Sequence, residues 1–177
     1  DVFQQDNMLE QTGNEIEALV NYSVLDNLVW TLGSGYYNYE FSRTPITLGP
    51  FNKPSNKRFG YGSIFVQADH FFTNGYNLIA SARWDEHDSF ESTGTYSIQM
   101  SKEILSKSTL FSKISTGYKA PSGQDFVYLD PSVDPDLILP EESFSWEIGT
   151  KHSFADESGF ISLSYFNSNI DGLVDSI

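Results

Sequence analysis

The chain has 177 residues, enough for one domain of ordinary size. Ten Lys and Arg against 24 Asp and Glu give a net charge of -14, which disfavours duplex nucleic acid as a partner because its phosphates would be repelled. The absence of cysteine excludes disulfide scaffolds and thiolate metal sites. Phe, Tyr and Trp make up 15% of the residues, which argues against disorder and indicates that a core or a membrane interface has to be covered.

Eight segments of the chain are predicted as β-strands. All seven prolines fall in 42–59 and 119–141, so these two segments are predicted as loops. Apolar and polar residues alternate with period two most clearly in the fourth, fifth and seventh segments, which read YNLIASARWDEH, TGTYSIQMS and SFSWEIGTKHSF. The predicted strands are 13–22, 27–41, 60–72, 76–85, 93–102, 109–118, 143–154 and 159–170. They are longer than the roughly 5–6 residues usual in globular proteins.

The two faces of these strands differ in a way that favours a membrane barrel. One face carries charges in mid-strand, at Arg83, Lys113, Glu147 and Lys151. The other face is apolar and carries Tyr, Trp or Phe near the strand ends. A soluble β-sandwich also alternates, but with shorter strands. The fold class predicted is therefore all-β, an antiparallel transmembrane β-barrel.

The connections between the predicted strands alternate in length. Short turns near 23–26, 73–75, 103–107 and 155–158 alternate with the long segments 42–59, 85–92 and 119–141. Outer-membrane barrels have short periplasmic turns and longer extracellular loops, so the long connections are predicted to be extracellular. Eight strands are enough to close a small barrel, and a wide polar inner face suits a larger barrel equally well.

Three sequence boxes carry a family resemblance. They are Tyr118-Lys119-Ala120-Pro121, then Asp134-Pro135-Asp136-Leu137 with one extra residue before Pro140-Glu141, then Trp146-Glu147-Ile148-Gly149. In order and spacing, 83–177 resembles the C-terminal part of the TonB-dependent outer-membrane receptors, the 22-stranded siderophore, haem and cobalamin transporters. Those receptors carry a Y-K-A-P box, an N-P-N-L-x-P-E box and a strand that reads W/Y-E-x-G.

The resemblance implies a fold, a function and a location. Residues 1–177 would form a fragment of one β-barrel domain, about eight of 22 strands, with the plug domain and the terminal strands outside it. The whole receptor would lie in the Gram-negative outer membrane, in contact with its lipid and lipopolysaccharide, and would take up a ferric siderophore or cobalamin. Energy would come from the TonB–ExbB–ExbD complex through the plug. No cofactor is implied. Haem is disfavoured, because haem receptors of the family use a histidine in the loop between the boxes and 119–141 contains none.

Candidate ligand contacts lie in the predicted loops. The basic segment 42–59 is predicted either to steer an anionic chelate or to contact lipopolysaccharide phosphate. The aromatic run at Tyr36, Tyr37, Tyr39 and Phe41 is predicted to belong to a membrane girdle rather than to stack on a ligand. The full set of candidate contacts is Arg43, Lys53, Lys57, Arg58, His87, Phe126 and Tyr128.

Metal and catalytic sites are not predicted. The acidic residues of 85–91 and 119–142 offer the oxygen ligands that calcium prefers, but EF-hand spacing is absent and solvated loops are favoured. No G-x-S-x-G, H-E-x-x-H or P-loop motif occurs, so the chain is predicted not to be an enzyme. Two other functions remain open: a small outer-membrane adhesin or structural barrel, and a soluble all-β binding module.

Overall fold

The protein folds as one sheet of long antiparallel strands. The computed structural model describes residues 7–45, 54–89, 91–121, 140–154 and 158–172. None of these residues forms a helix long and apolar enough to cross a membrane. The strands are β1 (Asn7–Leu25), β2 (Leu28–Pro45), β3 (Ser55–Phe71), β4 (Tyr76–His87), β5 (Thr93–Leu105), β6 (Ser108–Lys119), β7 (Glu141–Ser153) and β8 (Phe160–Asp171).

The strands lie side by side in chain order, and each pairs antiparallel with the next. All eight predicted strands are therefore confirmed. In the described part of the chain the sheet runs from β1 to β8 without a pairing between these two edges. A closed eight-stranded barrel requires that pairing, so the described strands do not close a small barrel by themselves.

Several strands extend beyond their predicted ends, most of them toward the long connections, while β1 and β5 also extend toward the short turns. β2 continues to Pro45 and β3 begins at Ser55, so the predicted loop 42–59 is too long. Pro45 is tolerated because it is the last residue of its strand, where no further ladder bond is needed. The pairing continues through polar rows such as Arg43–Ser55, which carry no apolar alternation to mark them as strand.

The turns at the opposite end are short, as predicted. β1 and β2 are separated only by Asp26 and Asn27, and β5 and β6 only by two residues, of which Lys107 has φ 68°. Gly75 has φ 82° in the turn between β3 and β4, where its N–H donates to the Phe72 carbonyl at 3.0 Å. Glycine adopts this left-handed conformation without steric penalty.

The sheet has two chemically different faces. The outer face carries apolar and aromatic side chains in rows across the strands, such as Trp30–Ala68–Ala80–Ile98. The exposed large hydrophobics on this face include Ile16, Ile64, Trp84, Ile98, Ile148 and Leu163. The inner face carries the opposite set, with Lys113 of β6 directly across from Glu147 of β7.

A soluble core is missing from the described residues. Apart from Pro45 and Pro121, only Phe41 and Phe59 are buried apolar side chains there, at 9% and 3% exposure, and no large side chain is fully buried. A β-sandwich would cover one face of this sheet with a second sheet about 10 Å away. An apolar face of this extent has lipid as its natural surroundings, so the structure does not support the alternative of a soluble module.

Two phenylalanines of the inner face lie over glycines of the neighbouring strand. Phe111 of β6 is directly across from Gly149 of β7, and a Cβ on Gly149 would stand 2.5 Å from the ring and 2.8 Å from the Leu163 carbonyl oxygen. Phe65 of β3 covers Gly33 of β2 in the same way. The last position of the W-E-x-G box is therefore a packing position, since it leaves room for an aromatic ring.

We expect Gly149→Val to destabilise the full protein by about 1–3 kcal/mol, the range for overpacking. The measurement is urea unfolding of the detergent-solubilised protein, with heat-modifiable migration to check folding. The matched control is Gly62→Val on β3, because a Cβ at Gly62 meets nothing within 4 Å. Equal losses in the two variants would contradict the packing explanation.

Candidate functional site

The inner face carries a cluster of aromatic and charged residues at the end of the sheet nearest the long connections. We call it the mouth cluster, and it comprises Tyr37, Tyr39, Phe59, Tyr61, Arg83, Asp85, His87 and Tyr118. Its members come from β2, β3, β4 and β6. The strand register places most of them, since Tyr37 is directly across from Tyr61 and Tyr61 directly across from His87.

An ion pair forms the polar centre of the mouth cluster. Arg83 and Asp85 are two residues apart on β4, so both side chains project from the inner face. The Arg83 guanidinium donates from Nε to both Asp85 carboxylate oxygens at 3.0 and 2.8 Å, and from Nη2 to Oδ1 at 2.8 Å. Asp85 is 7% exposed. A carboxylate this deeply buried needs such a partner, because a lone buried charge is strongly disfavoured.

Stacked rings flank this ion pair. The Tyr37 and Tyr61 rings lie 4.4 Å apart with an interplanar angle of 12°, and the Tyr39 and Phe59 rings lie 5.1 Å apart at 21°. The Tyr37 hydroxyl donates to Glu17 Oε2 at 3.3 Å. A groove of about 320 Å³ runs beside these rings and is lined by Gln11, Gly13, Asn14, Glu15, Tyr37, Asn38, Tyr39 and Tyr61. It offers aromatic ring surface together with hydrogen-bonding groups.

The mouth cluster also joins two strands that are not neighbours in the sheet. The His87 ring of β4 lies 4.9 Å from the Tyr61 ring and 5.6 Å from the Tyr118 ring of β6. The β5–β6 pairing ends at Ser97–Ser115. The end of β6 nearest the long connections is therefore not paired with β5 and can approach β4. Above that point, Tyr96 N donates to the Thr116 hydroxyl at 2.9 Å.

Two hydroxyls of this region are buried without a hydrogen-bond partner among the described residues, Ser63 Oγ and Tyr118 Oη. A buried hydroxyl without a partner destabilises a protein by about 1–3 kcal/mol. These atoms are therefore positions where a polar group from outside the described residues would be accommodated. Ser63 lies directly across from Asp85, which places one of them beside the ion pair.

The first two of the three family boxes meet at the ends of β6 and β7. Lys119 is directly across from Glu141, and Lys119 Nζ lies 3.1 Å from Glu141 Oε1. Pro121 is buried and Ala120 and Pro140 are half-buried beside this pair. The boxes thus define where both strands end and where the 122–139 connection starts and finishes. Trp146 faces outward, with its ring 5.4 Å from that of Tyr165.

Some of the predicted ligand contacts lie in strands of the sheet, and others lie outside the described residues. Arg43, Lys57 and Arg58 lie in strands rather than in a loop, because β2 and β3 extend past their predicted ends. His87 is the last residue of β4, not a loop residue, and belongs to the mouth cluster. The other predicted contacts and box residues, Lys53, Phe126, Tyr128, Asp134, Pro135, Asp136 and Leu137, lie outside the described residues.

The basic residues are not brought together. Arg58 has the register of the outer face and pairs through Nε with Glu40 Oε2 at 2.8 Å. Lys57 has the register of the inner face, with its ammonium 6.0 Å from the Phe59 ring centroid. Alternation therefore places Lys57 and Arg58 on opposite faces of the sheet, and both alternatives for 42–59, steering of an anionic chelate and contact with lipopolysaccharide phosphate, stay predictions.

The aromatic run of β2 divides between the two faces. Tyr36 is 56% exposed on the outer face, as the girdle prediction requires. The same prediction is wrong for Tyr37, Tyr39 and Phe41, because neighbouring residues of a strand point to opposite faces. Tyr37 and Tyr39 stack inside, and Phe41 is 9% exposed. The sequence already indicated this division. Tyr37, Tyr39 and Phe41 are separated from Gly33 and Gly35 by even numbers of residues, so all five lie on the same face of the strand.

A row of uncharged polar residues crosses the inner face below the mouth cluster. Each member is directly across from the next, and the row consists of Asn21, Thr31, Gln67, Ser81, Ser97, Ser115, Ser145 and Ser168. We call it the hydroxyl row. Thr31 Oγ1 donates to Asn21 Oδ1 at 2.8 Å, and the Ser145 and Ser168 hydroxyls lie 2.8 Å apart.

A metal centre is not evident in the described part of the chain, where no group of three or more His, Asp and Glu side chains is arranged to hold an ion. Most of the acidic segment 119–142 lies outside the described residues. The calcium alternative therefore has no structural support from the acidic residues of 85–89.

Comparison with known proteins identifies the wall to which this sheet belongs. A family model described as "TonB dependent receptor-like, beta-barrel" matches residues 1–177, the whole chain. The chain belongs to this family. TonB-dependent receptors are transporters of the Gram-negative outer membrane rather than enzymes, so the predicted family, location and non-enzymatic character are confirmed.

Individual relatives of the receptor are distant. The vitamin B12 transporter BtuB of Vibrio vulnificus is 22% identical over 159 residues, which is 90% of this chain and 25% of the relative. The ferric enterobactin receptor PfeA of Pseudomonas aeruginosa is 20% identical with a TM-score of 0.72, covering 93% of this chain and 27% of that one. The ferric-catecholate receptor Fiu of E. coli K12 is 11% identical with a TM-score of 0.67, covering 96% and 33%. The chain thus spans about a quarter to a third of these receptors.

We expect Arg83→Met to destabilise the full receptor by about 1.5–3 kcal/mol, the range for a lost charged hydrogen bond, because the buried Asp85 carboxylate loses its partner. Urea unfolding of Arg83→Met, Asp85→Asn and the double variant measures the coupling between the two residues. The double variant should lose less than the sum of the single losses. Strict additivity would show that the ion pair does not organise the mouth.

Proposed function

We propose that the receptor of which this chain forms part takes up a metal chelate, a ferric siderophore or cobalamin, and that the mouth cluster contributes to capture of this ligand. The observation that carries the proposal is the stacked, inward-facing Tyr37–Tyr61 pair within the wall of a TonB-dependent receptor. Relatives named as a vitamin B12 transporter, a ferric enterobactin receptor and a ferric-catecholate import receptor support both ligand classes.

The chemistry of the mouth cluster suits such a ligand. Aromatic rings favour the flat faces of catecholates or of a corrin ring. Lys57 and the Arg83–Asp85 pair provide charge and hydrogen-bonding capacity near those rings. The buried hydroxyls of Ser63 and Tyr118 provide polar positions that a bound ligand, or a plug residue, would occupy.

Transport further requires a moving part and an energy source. We propose that a plug domain lies inside the complete barrel and that the TonB–ExbB–ExbD complex drives transport through it. The inner face fits this role because it is polar in mid-strand, as at Lys113 and Glu147, and would contact a hydrated partner rather than lipid.

Uptake of radiolabelled ligand by cells that express the full receptor and lack their own receptors tests the function. We expect accumulation of either a ferric catecholate siderophore or cobalamin, and loss of that accumulation in a strain without TonB. Accumulation of neither ligand, or uptake that persists without TonB, would overturn the proposal.

The mouth cluster itself is tested by a pair of adjacent tyrosines. We expect Tyr37→Ala to weaken binding of the transported ligand about 3- to 10-fold, because one ring stack is worth about 0.5–1.5 kcal/mol. Tyr36→Ala is the matched control, since Tyr36 faces outward and is 56% exposed. Ligand titration of the purified receptor by intrinsic fluorescence measures both. Equal weakening in the two variants would assign the effect to strand stability instead of ligand contact.

A further inference from the structure

Two glutamates of β1 lie beside the stacked tyrosines of the mouth cluster. Glu15 is directly across from Tyr37, and Glu17 follows it on the same face, directly across from Gly35. The Tyr37 hydroxyl donates to Glu17 Oε2 at 3.3 Å. Both glutamates are exposed, and Glu15 lines the same groove as the rings of Tyr37 and Tyr61. A solute that enters this groove therefore meets carboxylates as well as aromatic rings.

Neither of these carboxylates is neutralised within the described part of the chain. No ion pair there involves Glu15 or Glu17, whereas the carboxylate of Asp85 is paired with Arg83. Lys57 has the inner-face register, but it lies two rows farther toward the long connections than the stacked tyrosines. Two rows on one face correspond to about 14 Å along the strand. Two negative charges without a basic partner therefore remain at the level of the stacked rings.

A buried hydroxyl points into the same level of the inner face. Ser63 is directly across from Gly35, which is itself directly across from Glu17. Ser63 is 5% exposed, and its Oγ has no hydrogen-bond partner among the described residues. A Cβ on Gly35 would stand 3.0 Å from this Oγ and 3.0 Å from the Tyr37 hydroxyl oxygen. The glycine thus leaves room beside Glu17 for an oxygen that can accept a hydrogen bond from a bound donor.

This combination of groups is suited to a cation. The face of a tyrosine ring attracts positive charge, and carboxylates beside the ring add to that attraction. The same carboxylates repel a polyanion. The two ligand classes of the proposed function differ in this respect, because the cobalt–corrin unit of cobalamin is a flat cation and a ferric tris-catecholate is polyanionic. The stacked rings therefore lie in surroundings that select for positive charge.

We propose that Glu15, Glu17 and the face of Tyr37 form a subsite for a cationic group of the ligand, with Ser63 Oγ as a further acceptor. The subsite favours a chelate that presents positive charge, such as the cobalt–corrin unit, over a ferric tris-catecholate. This inference rests on the proposed function, since the subsite adjoins the groove of the mouth cluster. It narrows that proposal by the charge of the ligand.

A pair of small probes tests the subsite on the full protein in a detergent with an uncharged sugar headgroup. Butylamine is protonated at neutral pH, and butanol has a chain of the same length without the charge. We expect butylamine to bind about 5-fold more tightly than butanol, because only the amine carries a charge for the rings and carboxylates. The double variant Glu15→Gln and Glu17→Gln should weaken butylamine binding about 3- to 10-fold and leave butanol binding unchanged. Saturation-transfer NMR measures both affinities.

Glu10→Gln is the matched control, since Glu10 is an exposed glutamate of the same strand with the outer-face register. Heat-modifiable migration checks that each variant is folded. Equal affinity for the two probes, no binding of butylamine, or an equal loss in Glu10→Gln and in the double variant would overturn the subsite.

Three chelates test the consequence for the transported ligand. Aquocobalamin and cyanocobalamin share the corrin and its side chains, but aquocobalamin carries one more positive charge. We expect the double variant to weaken aquocobalamin binding about 2- to 5-fold more than cyanocobalamin binding, and to bind a ferric tris-catecholate more tightly than the unmodified protein does. Unchanged or weaker binding of the tris-catecholate in the double variant would overturn selection by charge. Uptake of neither chelate class would overturn the proposed function instead, and the butylamine titration would still decide the subsite.

Discussion

The continuous antiparallel ladder from β1 to β8 is the constraint on which the rest of the structure depends. Inside a bilayer, each backbone N–H and C=O has to find a partner within the protein, because lipid offers none. The ladder meets this requirement and fixes the alternation of side chains at the same time. Every functional feature described above is a consequence of which residues this alternation directs inward or outward.

Alternation also explains how so few buried residues support an ordered surface. With only two buried aromatic side chains among the described residues, the sheet cannot rely on a core. Local contacts take that role on the inner face: Phe111 over Gly149 and the Tyr37–Tyr61 stack between neighbouring strands, and the Arg83–Asp85 ion pair within β4. The first two contacts join neighbouring strands, so the wall is stabilised strand by strand.

The sequence predicts the number, order and faces of the strands because period-two alternation is strong wherever one face meets lipid. It places the strand ends poorly at Arg43 and Arg58, since the rows there are polar on both faces except at Phe41. The inward direction of Tyr37 could be predicted from the alternation along its strand. The shared face of Arg83 and Asp85 could be predicted from their spacing of two residues. The approach of Tyr118 to His87 was not, because the two rings belong to strands that are not paired and meet only where the β5–β6 ladder ends.

The hydroxyl row has a consequence for how this wall meets water. Serine, threonine, asparagine and glutamine side chains both donate and accept hydrogen bonds, so each can exchange a partner in the wall for a water molecule at little net change in free energy. A row of such groups across the sheet is therefore hydrated along its whole length, and it presents no fixed charge that would bind a solute. The charged side chains of the inner wall lie on either side of this uncharged row, with the Arg83–Asp85 pair toward the mouth and Lys113 and Glu147 on the other side.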